Sequence, residues 1–304
     1  MKRLVIFSAL LLAGCSVKHY AINQLGDALA GAGSTFSGDD DPELIRAAVP
    51  FSLKLVESLL AESPRHQGLL LAAARGFTEY AYAFVQEDAD ELEDTNKVTA
   101  TAMRARAARL YLRARNYGLR GLEVKHPGFG DRLKAKPKEA VKELKKSEAP
   151  LMYWTALSWG AALSASHDFA MLPEIPRFEA LIDRVMELDE GYDEGTAHTF
   201  LITYEMARLS GKGDLTARAE RAKEHFDRAI ALGGGHQAGP LVAYAENVLV
   251  PQKNKVEFQN MLRQALRVDL NASPENRQLN LAVQRRARWL LSRTDRLFPE
   301  PRSN

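Results

Sequence analysis

The sequence predicts an all-α fold, and three observations support this class. Apolar residues recur at spacings of three and four along most of the chain, as on one face of an amphipathic helix. No stretch alternates polar and apolar residues over enough positions to predict a β-sheet. Three similar turns, near residues 63, 190 and 234, each end one helical pattern and precede another. We therefore expect a stack of helix pairs.

The chain begins with the pattern of a bacterial export signal. Two basic residues precede an apolar run over residues 4–12, which is far shorter than the roughly 20 residues that span a bilayer as a helix. The Leu-Ala-Gly-Cys sequence that closes this run resembles the lipobox, in which the cysteine becomes the acylated first residue of the mature protein. We predict a lipoprotein signal peptide over residues 1–14 and a palmitate-bearing Cys15. An ordinary secretory signal is the alternative, although Cys15 is the only cysteine of the chain.

The mature chain is predicted to have no net charge. Removal of the signal takes away Lys2 and Arg3, so the count of Lys and Arg falls from 41 to 39, which equals the 39 Asp and Glu. Proteins that bind nucleic acid without sequence preference need a net basic surface. We therefore expect no nucleic-acid partner.

Composition and breaks in the helical pattern divide the chain into segments. Residues 15–40 are expected to form the lipidated N-terminus and a flexible lead-in, with a loop rich in Gly and Ser at 31–38. A single helical domain follows over residues 41–298, and residues 299–304 form a C-terminal tail. Pro and Gly interrupt the pattern at 127–149, which we interpret as an inserted connection and not as a domain boundary.

Several residues indicate where helices begin. Asp41 and Pro42 have the residue types preferred at the N-cap and at the first helical position. Pro50 is expected to start a new helix or to kink the first one, because proline removes a helical hydrogen bond. His66 and His236 each follow a turn, which favours a capping or hydrogen-bonding role over catalysis.

One segment has the spacing of a tetratricopeptide second helix. Ala222, Phe226 and Ala229 reproduce the pattern A-x3-F-x2-A. The turns near 190 and 234 are further apart than the roughly 34 residues of an ideal repeat, so the repeats are degenerate. Chance similarity among amphipathic helices is the alternative. Stacked helix pairs predict a tetratricopeptide-like solenoid with a concave surface.

No catalytic or metal-binding motif is found in the sequence. Residues 157–160, Leu-Ser-Trp-Gly, lack the first glycine of the nucleophile motif G-x-S-x-G, and no predicted strand precedes them. The histidines lack a second ligand at the spacings that zinc sites use. We therefore expect no catalytic residue, no metal and no cofactor.

An aromatic segment and an arginine-rich helix contain candidates for a ligand or partner surface. Trp154 follows Tyr153 and lies five residues before Trp159, which places the two tryptophans roughly 140° apart around a helix. One is expected to pack in the core while the other faces a cavity or a partner. Arg104 follows an acidic run at residues 87–94. Mutual pairing on a solvated surface is the simplest interpretation, and recognition of a substrate carboxylate is the alternative.

The order of several short segments resembles the TatT family, the tetratricopeptide-like lipoproteins associated with tripartite ATP-independent periplasmic (TRAP) transporters. The likeness extends over nearly the whole mature chain. It rests on these segments: Asp39–Leu44, Pro50–Lys54, Glu57–Leu60, Tyr80–Gln86, Tyr153–Trp154, Trp159–Gly160, Leu172–Pro173, Arg184–Asp189, Gly195–His198 and Leu279–Asn280.

The resemblance implies a periplasmic lipoprotein that forms a homotrimer and contacts the solute-binding subunit of a TRAP transporter. It also implies an apolar cavity for a ligand, and it adds His198 to the candidate surface residues Tyr153, Trp154, Trp159 and Arg104. Because Ser16 and not Asp follows the lipidated cysteine, we expect attachment to the outer membrane in preference to the inner membrane.

Three hypotheses for function follow. The preferred hypothesis is a non-enzymatic accessory of a TRAP-type uptake system that docks the solute-binding subunit and shelters a ligand. The second is a lipoprotein adaptor for assembly of the cell envelope. The third is a helical peptidoglycan hydrolase, which needs a carboxyl group of raised pKa in a cleft.

Overall fold

The computed structural model describes residues 22–31, 33–166, 168–208 and 214–300. The described residues contain helices and turns but no β-strand, so the predicted all-α class is confirmed. None of the described helices combines the length and the apolarity needed to cross a bilayer. The predicted signal peptide and Cys15 lie outside the described residues.

Sixteen α-helices are described. They are α1 (22–31), α2 (Gly33–Ser37), α3 (Pro42–Glu62), α4 (Gln67–Tyr80), α5 (Glu87–Leu92), α6 (Lys97–Lys125), α7 (Phe129–Ala135), α8 (Pro137–Ala140), α9 (Ala149–Ser166), α10 (Ile175–Asp189), α11 (Thr196–Ala207), α12 (Leu215–Leu232), α13 (Gly239–Tyr244), α14 (Lys255–Ala265), α15 (Arg277–Ser292) and α16 (Thr294–Leu297). Two π-helical segments, Ala81–Gln86 and Ala245–Leu249, extend α4 and α13. Short 3-10 segments are Val141–Glu143, Lys146–Glu148, Phe169–Glu174, Tyr192–Gly195 and Pro274–Asn276.

Two predicted caps are confirmed. The carboxylate of Asp41 accepts hydrogen bonds from the backbone N–H groups of Glu43 and Leu44, both at 3.0 Å, and Pro42 is the first residue of α3. The Nδ1 atom of His66 accepts a hydrogen bond from the N–H of Leu69 at 3.2 Å and caps α4. Both side chains satisfy donors that a helix N-terminus leaves without a partner.

The structure excludes one of the two alternatives predicted for Pro50 and corrects the loop predicted at residues 31–38. Pro50 does not start a new helix, because α3 continues through it from Pro42 to Glu62. Buried side chains on both sides of Pro50, including Ile45 and Leu53, hold the two parts of α3 in one packed face. The loop expected at 31–38 contains the helix α2, which packs against α15 and the 3-10 segment before it. Tertiary packing thus overrides the local preference of a Gly- and Ser-rich sequence.

Consecutive helices pack on one another around the molecule. Neighbours in contact include α3 with α4, α6 with α9, α9 with α10, α11 with α12, and α14 with α15. Four clusters of buried apolar side chains lie between these helices. Each cluster is shared by several helices, so the core is distributed along the described chain.

The last long helix returns to the first ones. α15 contacts α2 and α3. The Nη1 of Arg277 donates to the carbonyl oxygen of Gly38 at 2.7 Å, and the amide of Gln278 donates to the carbonyl oxygen of Asp39 at 2.8 Å. The described helices therefore close into a ring.

Candidate ligand cavity

The ring surrounds a cavity of about 1380 Å³. Small-molecule sites in proteins typically measure roughly 300–1,000 Å³. Most of the wall is apolar. The apolar side chains of the wall are contributed by helices from both halves of the chain and include Ile45, Val49, Leu53, Val56, Leu71, Phe84, Leu157, Leu163, Phe178, Phe200, Val242 and Val283.

A row of threonines on α11 supplies neutral polar groups to the wall. Thr196, Thr199 and Thr203 recur at spacings of three and four, so they share one helical face. The amide of Asn247 donates to the hydroxyl of Thr203 at 3.1 Å. The hydroxyl oxygen of Thr199 is buried and has no hydrogen-bond partner among the described residues. A polar ligand group at this face would satisfy it.

The aromatic candidates Tyr153 and Trp154 both line the cavity. Their rings meet edge to face with centroids 5.2 Å apart, and Tyr192 lies 5.5 Å from Tyr153. The hydroxyl groups of Tyr153 and Thr196 are 2.9 Å apart and share a hydrogen bond. Burial raises the pKa of Tyr192 to about 12 and that of Tyr153 further still, so both phenols stay neutral.

Trp159 lies outside the cavity wall. Its indole N–H donates to Oε2 of Glu174 at 2.7 Å, and the guanidinium of Arg115 lies 5.0 Å from the centre of its ring. Trp154 faces the cavity from the same helix. The two tryptophans therefore occupy different faces of α9, as their spacing indicates.

Arg104 also lines the cavity, but acidic residues surround its guanidinium. Its Nη2 lies 2.8 Å from Oδ1 of Asp90, and its Nη1 forms a short ion pair with Glu93. Both partners belong to the acidic run before α6. This geometry matches the interpretation of Arg104 as a paired arginine more closely than the interpretation as a carboxylate receptor.

His198 is buried between α11 and α12, and it is not among the residues that line the cavity. Its Nδ1 lies 2.9 Å from Nδ1 of His225, and its Nε2 lies 3.2 Å from Oε1 of Glu190. Burial lowers the pKa of both histidines, and the neighbouring His198 helps to lower that of His225 to about 4. His198 therefore has a second histidine beside it in space, although not at a spacing that zinc sites use. Sequence spacing gave no sign of the pair, because His225 lies 27 residues away on the next helix.

A buried charge cluster links the two halves of the wall. Arg286 of α15 donates to Glu246 at 2.5 and 3.1 Å, to Asp90 at 2.8 Å and to Glu87 at 3.5 Å. Glu87 directly follows one π-helical segment, and Glu246 lies within the other. Such segments are rare and often occur at functional sites. All four residues line the cavity.

Within this cluster, Glu87 is the most deeply buried carboxyl group, with 1% of its surface exposed. Burial is the largest influence on this group and raises its pKa to about 7; Arg286 opposes the shift, and Glu246 adds to it. The sequence gives no sign of this cluster, because Arg286 and Glu87 lie 199 residues apart and belong to no shared motif.

The fold and the cavity define an all-α protein whose helices line a large, mainly apolar cavity. The chain matches the family model described as "TRAP transporter T-component" over residues 38–298, and it belongs to that family. The predicted resemblance is therefore confirmed. Members of this family are accessory components of TRAP transporters. The chain is also 30% identical over 312 residues to an uncharacterized protein of Treponema pallidum (strain Nichols), and the match includes 96% of this chain and 95% of that protein.

Proposed function

We propose that this protein is a non-enzymatic T-component that holds an amphipathic ligand in its cavity and docks the solute-binding subunit of a TRAP transporter. The observation that carries the proposal is the open, mainly apolar cavity of about 1380 Å³ in a member of a transporter accessory family. A wall that is mainly apolar, with a few placed polar groups, is typical of small-molecule sites.

The proposed docking surface is the mouth of the cavity around Phe169. This side chain lines the cavity yet is 79% exposed, which is unusual for a large aromatic group. Leu279, on α15, also lines the cavity and is exposed. A ligand that passes between two proteins without entering water needs their openings to meet. Exposed apolar side chains at the opening would be covered by that contact.

The finer features predicted from the sequence belong to the same proposal. Acyl chains on Cys15 would hold the protein at the periplasmic side of the outer membrane, and the helix pairs would form a tetratricopeptide-like stack that assembles as a trimer. Labelling of cells with radioactive palmitate tests the anchor, because a Cys15→Ser variant should take up no label. Sedimentation of the purified protein tests the trimer.

Docking is tested by titrating the mature protein with the purified solute-binding subunit from the same organism. We expect a saturable complex that Phe169→Asp weakens by about tenfold or more, as expected for an aromatic interface residue. Phe51→Asp is the matched control, because Phe51 is 75% exposed but does not line the cavity. The absence of any complex with the unmodified protein would contradict docking. An equal loss in both variants would contradict the proposed surface.

A further inference from the structure

Four arginines of the described residues line the cavity, and three of them pair with carboxylates through both terminal nitrogens. Arg104 pairs with Asp90 and Glu93. Arg208 lies 2.9 Å from Glu179 and 3.1 Å from Glu205, and Arg286 is surrounded by the acidic cluster described above. A fourth arginine, Arg75 of α4, has a different environment.

The guanidinium of Arg75 makes one hydrogen bond to the protein, from Nε to Oε1 of Glu79 at 2.8 Å. Its two terminal nitrogens have no hydrogen-bond partner among the described residues. The side chain lines the cavity and is 40% exposed. These two nitrogens therefore remain available as hydrogen-bond donors to a molecule inside the cavity.

Trp154 fixes the position of this guanidinium. The centre of its ring lies 5.5 Å from Cζ of Arg75, within the range of a cation–π contact. An arginine held at Nε and stacked on an aromatic ring presents its terminal N–H groups in a planar fork. This fork matches the two oxygens of a carboxylate.

We propose that Arg75 receives the carboxylate of an amphipathic ligand, with Trp154 as its positioning residue. The inference rests on the proposed function and names the ligand class of the same cavity. The apolar part of the ligand lies against the wall that continues from this site, where Leu71 precedes Arg75 by one turn of α4 and Leu157 follows Trp154 on α9.

Two neighbouring acids restrict the headgroup to a single negative charge. Glu79 pairs with Arg75, and Asp193 lies close enough for its charge to help raise the pKa of Arg75. Asp193 also lines the cavity. Repulsion from these carboxylates acts on any anion, but about twice as strongly on a dianion such as a phosphate monoester as on a monoanion. Among anionic headgroups, the site therefore favours a monocarboxylate over a dianion.

Titration calorimetry with three probes of equal chain length tests the inference: decanoate, decanol and decyl phosphate. The protein used is the full mature chain with Cys15→Ser, so that no attached acyl chain competes. We expect decanoate to bind more tightly than the other two. Arg75→Gln should weaken decanoate binding by about 10- to 100-fold, the effect of losing a charged hydrogen-bonding partner, and should leave decanol binding unchanged.

Two further variants complete the test. Arg75→Lys keeps the charge but loses the fork, so we expect an intermediate loss for decanoate. Arg132→Gln is the matched control, because Arg132 is 45% exposed, pairs with one glutamate and lies outside the cavity wall. Circular dichroism spectra of all variants confirm that they fold.

The outcomes separate this inference from the proposed function. Tight binding of decanol together with no effect of Arg75→Gln on decanoate would overturn the role of Arg75 and leave the cavity intact. Stronger binding of decyl phosphate than of decanoate would overturn the selectivity for one charge. Failure of all three probes to bind would contradict the apolar cavity as a ligand site.

Discussion

Arg285 and Glu91 form a two-point ion pair although they lie 194 residues apart in the chain. The Nε of Arg285 is 2.8 Å from Oε1 of Glu91, and its Nη2 is 2.6 Å from Oε2. The same Nη2 lies 2.8 Å from Oδ1 of Asp88. Together with Arg286 and Arg293, which contact the same acidic run, this pair makes the junction between α15 and α5 strongly polar.

The two arginines Arg285 and Arg286 of this junction should contribute unequally to the free energy of unfolding. Arg286→Ala leaves a buried cluster of carboxylates without its cation, so we expect a loss of about 3–5 kcal/mol in the free energy of unfolding. Arg285→Ala, in a pair that is about a third exposed, should cost about 1 kcal/mol. Urea unfolding followed by circular dichroism measures both. Arg132→Ala, in an exposed pair, should have a smaller effect than either; equal losses in all three would contradict a special role for the junction.

Glu87 should make the protein less stable as pH rises from about 4.5 to 7. Its pKa is 4.5 in the unfolded chain and about 7 in the fold, so the folded state binds the extra proton in this range. Deprotonation then costs folding free energy until the folded group is also ionised, and the effect levels off above pH 7. Urea midpoints measured across this range should fall less steeply in Glu87→Gln than in the unmodified protein. Parallel curves would contradict the raised pKa.

The His198–His225 pair should make the protein less stable as pH falls, opposite to the effect of Glu87. Both pKa values are lowered in the fold, that of His225 from 6.5 to about 4, so the unfolded chain takes up protons first as pH falls. The contribution of the neutral pair to the free energy of unfolding is fully present above pH 6.5 and is lost as pH falls towards 4. The difference in urea midpoint between the unmodified protein and His225→Gln isolates this effect from that of Glu87. A difference that does not change between pH 7 and 4 would refute it.

Gly118 permits the close approach of α6 and α9. A Cβ at this position would lie 3.0 Å from Cβ of Thr155 and clash with its hydroxyl oxygen. We expect Gly118→Ala to destabilise the protein by about 1–3 kcal/mol, the usual cost of overpacking. Thermal unfolding measures the effect, and adding Thr155→Ala should restore part of it. Gly191→Ala is the control, because nothing lies within 4 Å of its added Cβ.

The sequence predicts local features of this protein better than long-range ones. The cap formed by Asp41 and the separation of Trp154 from Trp159 follow from residue type and helical spacing, which act over a few positions. The sequence shows the i,i+4 pairing of Arg75 with Glu79 but gives no sign that Trp154, on another helix, lies beside its guanidinium. The partners of Arg285 and His198 lie on other helices, where no periodic pattern could indicate them.

The contact of α15 with α2 and α3 also fixes the number of helices in the ring. In an open array of helical repeats, each terminal unit exposes an apolar face that needs a polar cap, and further units can be added at either end. Here Gly38 and Asp39 meet Arg277 and Gln278, so segments near the two ends of the described chain contact each other. Insertion or deletion of one helix pair would separate these partners. Homologous proteins are therefore expected to differ in loop length and in side chains, while the number of helices stays constant.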